Sequence, residues 1–103
     1  MRIRKRQPTH PGHILRSHYL EPLSITITDL AQTLGVARKT ISKIVNERAS
    51  ITSDMALRLS RAFKTTPELW LNLQMNYDLW HACHDSKDWQ SVQSVEKVHQ
   101  VLV

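Results

Sequence analysis

A chain of 103 residues, 41% of them hydrophobic, is long enough to bury the core of one small domain and too short for several. It holds none of the ~18-residue apolar runs that cross a bilayer, and its basic start, MRIRKRQPTHPG, lacks the apolar stretch of a secretory signal. Residues 1–50 carry nine Lys/Arg against three Asp/Glu, while residues 51–103 carry five against six, so the net charge of +5 sits in the first half.

These features predict a cytoplasmic protein with no membrane partner. The single cysteine, Cys83, rules out an internal disulfide and fits a reducing compartment. A basic half suggests a polyanion partner, most simply nucleic acid, with a merely solubilising surface as the plain alternative. Two glycines and the absence of alternating β-branched runs between turn residues point to an all-α fold.

Residues 1–9 are basic, polar and non-periodic, and read as a flexible arm. Such an arm can follow a DNA backbone or enter a minor groove, order on a protein partner, or remain a solvated tail. The folded domain is expected over residues 10–82 and a C-terminal extension over 83–103. A first helix is predicted from Pro11 to Tyr19, with Ile14, Leu15, His18 and Tyr19 inward, and it stops at Pro22. His10 and His13 read as ordinary surface or packing residues.

Thr26 reads as the N-cap of a second helix, with Asp29 in its first turn and Ile27, Leu30, Ala31 and Leu34 at helical spacing. Gly35 then supplies the left-handed turn that ends it. A third helix covers Arg38 to Asn46. Thr52 caps a fourth, with Met55, Ala56, Leu59, Ala62 and Phe63 inward. Thr66 and Pro67 open a fifth, which runs to His81. Residues 82–88 read as a loop. Trp89, Val92, Val95, Val98 and Leu102 predict a short sixth helix over 89–102, although its valines suit a strand as well.

Two helices joined by a short glycine-containing turn form a helix-turn-helix. On a wheel of 100° per residue, Ile41, Ile44 and Val45 of the third helix fall within about 100° of one another and form its buried face. The opposite face holds Lys39, Ser42, Lys43 and Asn46, with Arg38 and Thr40 at its flanks and no carboxylate. Such donors and cations suit the major groove and its phosphates. The fifth helix carries two apolar stripes. Leu69, Trp70, Leu73, Tyr77 and Trp80 serve the core, and Leu71, Met75 and Leu79 are left to form the interface of a two-fold homodimer, unless the sixth helix covers them.

His81, Cys83 and His84, in HACH, raise the question of a metal or catalytic site. Their spacing matches no common zinc pattern and no orienting acid accompanies them, so neither metal, cofactor nor enzyme activity is expected.

The stretch DLAQTLGVARKTISKIVNER resembles the helix-turn-helix of the XRE (lambda-repressor-like) family. More narrowly, HPGHILRSHYLEPL, ITSDMALRLSRAF and TTPELWLNLQMNYDLW resemble the HigA/VapI-type antitoxins, in the same order along residues 10–80. The resemblance implies a five-helix repressor-like domain that forms a homodimer. It implies binding to the double-stranded operator of its own operon and neutralisation of a HigB-like ribonuclease toxin. The family's base-reading positions fall on Arg38, Lys39, Thr40 and Lys43, with Asn46 near the backbone. A stand-alone XRE-type transcription regulator without a toxin is the alternative. Two departures stand out: Ala37 replaces the usual Ser or Thr cap, and Glu47 replaces the common glycine after Asn46.

Overall fold

The computed structural model describes residues 6–96, and among these every regular element is helical. Five α-helices follow one another: α1 (Pro11–Ile14), α2 (Ile27–Leu34), α3 (Arg38–Val45), α4 (Ser53–Phe63) and α5 (Pro67–Asp85). The first continues directly into a π-helical segment, Leu15–Leu20.

The predicted caps form. Thr26 Oγ1 accepts the Asp29 N–H at 3.0 Å and an Asp29 carboxylate oxygen accepts the Thr26 N–H at 3.4 Å, a reciprocal capping box. Gly35 ends α2 at φ +70°, with the Val36 N–H closing back on the Ala31 carbonyl. Thr52 and Thr66 cap α4 and α5 through their hydroxyls.

The core lies where the helices converge. Leu15 and Leu20 from the first segment, Leu30 and Leu34 from α2, Ile41 and Ile44 from α3, Leu59 from α4 and Trp70 from α5 are all buried. Burial of a large apolar side chain contributes roughly 1.5–3 kcal/mol, so this cluster is the main source of stability. The polar atoms it encloses are partnered. Trp70 Nε1 donates to Thr65 Oγ1 at 2.8 Å, and the buried Gln74 accepts the Ile51 N–H at 2.8 Å.

Several expectations change. The first helix reaches Leu20 because a π turn closes i→i+5 bonds, which brings Leu15 and Leu20 to one buried face and leaves His18 exposed. Ala62 is exposed as well, since α4 buries only the stripe through Met55, Ala56 and Leu59. The stretch read as a loop over 82–88 is helical through Asp85, with Cys83 buried. In place of a sixth helix there is one 3₁₀ turn, Asp88–Ser91, followed by irregular backbone in which Val92 and Val95 are exposed. The rest of that expectation, from residue 97 on, lies outside the described residues.

The arm also shortens. Residues 1–5 are outside the described part, but Pro8 and His10 are buried and the Gln7 side-chain nitrogen lies 3.0 Å from His81 Nε2. His10 is the cap of α1: its Nδ1 accepts the Gly12 N–H at 2.9 Å, and its ring meets Tyr77 of α5 edge-on at 4.7 Å.

Burial holds the His10 imidazole below its ordinary pKa of 6.5, against the opposing pull of Glu47 and Asp78. The unfolded chain therefore binds the extra proton first. The contribution of neutral His10 is fully present above pH 6.5 and is lost as the pH falls from there towards the folded value. His10→Asn keeps a capping acceptor but cannot titrate. Thermal melts from about pH 8 to about pH 5.5 are expected to show a smaller loss of stability for this variant than for the unmodified chain. Equal losses would assign the acid sensitivity to another group.

Candidate nucleic-acid interface

The face assigned to α3 is set by what the helix buries. Ile41, Ile44 and Val45 are no more than 2% exposed, so α3 has a single orientation on the core. Helix α1 fixes it further. A Cβ placed on Gly12 would overlap the Ile44 carbonyl oxygen, so α1 crosses the backbone of α3 at a distance only glycine permits.

With that face buried, Arg38, Lys39, Thr40, Lys43 and Asn46 are exposed and Ser42 is half-buried. Lys39 and Lys43 form no ion pair among the described residues. Arg38 is tied to the flank, its Nε donating to Thr28 Oγ1 in the first turn of α2 at 3.1 Å. Asn46 lies just past the last turn, and its amide nitrogen donates to Ser42 Oγ at 3.4 Å.

Both ends of α3 carry the departures seen in the sequence. Ala37 makes no side-chain capping bond. Glu47 occupies left-handed backbone at φ +61°, where a residue with a Cβ is disfavoured by about 1–2 kcal/mol. A glycine there would avoid that strain.

Two contributors, Thr28 in the first turn of α2 and Arg16 outside the motif, escaped the sequence reading. Thr28 holds Arg38, and Arg16 Nη2 donates to Asn46 Oδ1 at 3.0 Å. One signal for Arg16 was available: it is the only Lys or Arg between Arg6 and Arg38.

The second apolar stripe of α5 is solvent-facing. Met75 is 50% and Leu79 46% exposed, and with the half-buried Leu71 they line a groove of about 460 Å³ together with Ile51, Gln74, Asp78 and Ala82. His81, Cys83 and His84 are not gathered into one site. His81 faces Asp85 at 3.7 Å, His84 stacks on Trp80 at 3.9 Å, and the Cys83 side chain is buried. Among the described residues no three His, Cys, Asp or Glu side chains converge as metal ligands, and no helix is long and apolar enough to cross a membrane.

The arrangement matches known proteins. A helix-turn-helix family model matches residues 18–70. An HTH-type transcriptional regulator of Haemophilus influenzae is 50% identical over 91 residues, covering 88% of this chain and 85% of the relative. Antitoxin HigA-1 of Vibrio cholerae is 42% identical over 80 residues, 78% of this chain and 75% of its own length. The solved structure of antitoxin GraA in complex with its operator superposes with a TM-score of 0.81 at 41% identity, covering 92% of this chain and 98% of that one. The chain belongs to the helix-turn-helix family of DNA-binding proteins, in its branch of HigA-type antitoxins.

Proposed function

We propose that this protein is a cytoplasmic antitoxin and autorepressor. It binds the operator of its own operon as a homodimer and neutralises a HigB-like ribonuclease toxin. The observation that carries the DNA half of this reading is the outer face of α3, where Lys39 and Lys43 are exposed and free of carboxylate partners among the described residues. In the proposed complex Lys39 and Lys43 enter the major groove and Arg38 sits at its edge. Thr40, Ser42 and Asn46 add polar contacts to bases and phosphates. The toxin half rests on the likeness to HigA-1 of Vibrio cholerae, and the repressor half on the GraA–operator structure.

A two-fold operator is met by a two-fold protein, since paired half-sites need paired recognition helices. The groove at Leu71, Met75 and Leu79 supports that pairing, because an apolar face of this kind is stabilised by a second copy that removes it from water. The protein is not proposed to be an enzyme.

Truncating a lysine that reads a base should cost about 1–3 kcal/mol and relax preference at one base pair. Loss of a phosphate contact should weaken all sequences alike and reduce the salt slope by about one. Lys39→Ala and Lys43→Ala are expected to show one or the other behaviour on the operator and on random DNA at several salt concentrations. Lys87→Ala, beyond the end of α5, should bind as the unmodified chain does. Equal binding by all three variants would mean that the recognition face lies elsewhere.

Met75→Asp is expected to sediment as a monomer, because the interface would have to bury an unpaired charge. An undiminished dimer would move the interface off this stripe.

The likeness to an HTH-type transcriptional regulator of Haemophilus influenzae supports a second reading, a stand-alone transcription regulator. Co-expression with a HigB-type ribonuclease encoded beside this gene separates the two. Restored growth is expected for an antitoxin, and persistent killing would leave the regulator alone.

A further inference from the structure

The π-helical segment after α1 does more than bury Leu15 and Leu20. It places Arg16, the residue next to Leu15, against the end of α3, where its guanidinium donates to Asn46 Oδ1 at 3.0 Å. Arginine carries donors only, so the oxygen of the Asn46 amide must face it and the amide nitrogen must face away. That nitrogen donates to Ser42 Oγ at 3.4 Å. Ser42 accepts one hydrogen and is left with its own O–H to give, and the Asn46 nitrogen keeps a second N–H. The chain Arg16–Asn46–Ser42 thus fixes the ambivalent Asn46 amide with its nitrogen outward, as a donor.

We propose that Arg16, which lies outside the helix-turn-helix, is a positioning residue for operator recognition: it sets the Asn46 amide as a donor towards acceptor atoms on the DNA. The acceptors available in the major groove are guanine O6 and N7, adenine N7 and thymine O4. Without Arg16 the amide can turn over and present its oxygen, so cytosine N4 and adenine N6, which are donors, become tolerated. The effect is one of specificity. A simple phosphate contact by Arg16 would instead act on all sequences alike.

The inference rests on the reading that α3 binds DNA, and the test separates the two. The unmodified protein first selects duplexes from a randomised pool, and its preferred duplex is then varied one base pair at a time. Arg16→Met, which keeps an apolar stem without the fork, is expected to lose about tenfold in discrimination at one or two base pairs, with its salt slope unchanged. Asn46→Ala, at an exposed position, should lose preference at the same base pairs, and adding Arg16→Met to it should cost no further discrimination. Thermal melts of each variant confirm that it is folded under the binding conditions. Arg16→Met that weakens every duplex equally with a salt slope lowered by about one would make Arg16 a phosphate contact and overturn the proposal. Unchanged preference, or losses at base pairs different from those of Asn46→Ala, would overturn it too. If the unmodified protein selects no sequence, the DNA-binding reading itself fails and this inference falls with it.

Discussion

The position of α3 depends on one close approach, where α1 crosses it with Gly12 against the Ile44 carbonyl oxygen. A side chain on residue 12 would push the two helices apart, and the three buried residues of α3 would lift off Leu15 and its neighbours. What sits above the crossing keeps it closed. His10 caps the first turn of α1 and rests edge-on against Tyr77, so α1 is held between α3 and α5. The exposed side chains of α3 are therefore aimed by α1 and its π-helical continuation, which contributes only Arg16 to their surface.

Gly35 and Gly12 show which constraints a sequence displays. Gly35 follows a run of apolar residues at helical spacing and precedes another, so its role in the turn can be read locally, and φ +70° bears it out. Gly12 follows Pro11 in a short helix, and nothing near it in the chain signals a neighbour. Its reason lies 32 positions away at Ile44. The same division runs through the rest of the molecule. The caps at Thr26, Thr52 and Thr66 and the buried stripe of α3 are local or periodic signals and were legible. The π turn was not, because leucines five apart look aperiodic on an α-helical wheel. Its consequence, Arg16 against the end of α3, was signalled only by the isolation of that cation between Arg6 and Arg38. Val92 and Val95 had helical spacing but are exposed, and spacing without burial did not make a helix there.

The uneven charge now has a structural counterpart. The cations of the first half include those on the outer face of α3, while the second half builds α5, whose outer side is apolar with Asp78 at the rim of its groove. One small domain thus carries two surfaces of opposite character. Gln74 sits where the second of them meets the core. Its amide accepts the Ile51 N–H and donates to Asp78 at 2.9 Å, so the floor of the groove is pinned to the start of α4. A groove with a fixed floor offers a partner a preformed shape and lowers the ordering cost of binding.

The helix that carries the cationic face is poorly stabilised by its own sequence. It has eight residues, short of the ~12–15 that an isolated helix needs to persist in water. Its N-terminus lacks a side-chain cap, a deficit of about 1 kcal/mol. Its C-terminus passes through Glu47 in left-handed backbone, a further cost of about 1–2 kcal/mol. Against these stand Ile41, Ile44 and Val45, whose burial contributes roughly 1.5–3 kcal/mol each. The tertiary term, roughly 4.5–9 kcal/mol, exceeds the local deficits of about 2–3 kcal/mol, so α3 exists because the domain has assembled around it. A loss of packing at Leu15, Gly12 or Leu59 therefore removes the cationic face of α3 along with the core, although none of these residues lies on it.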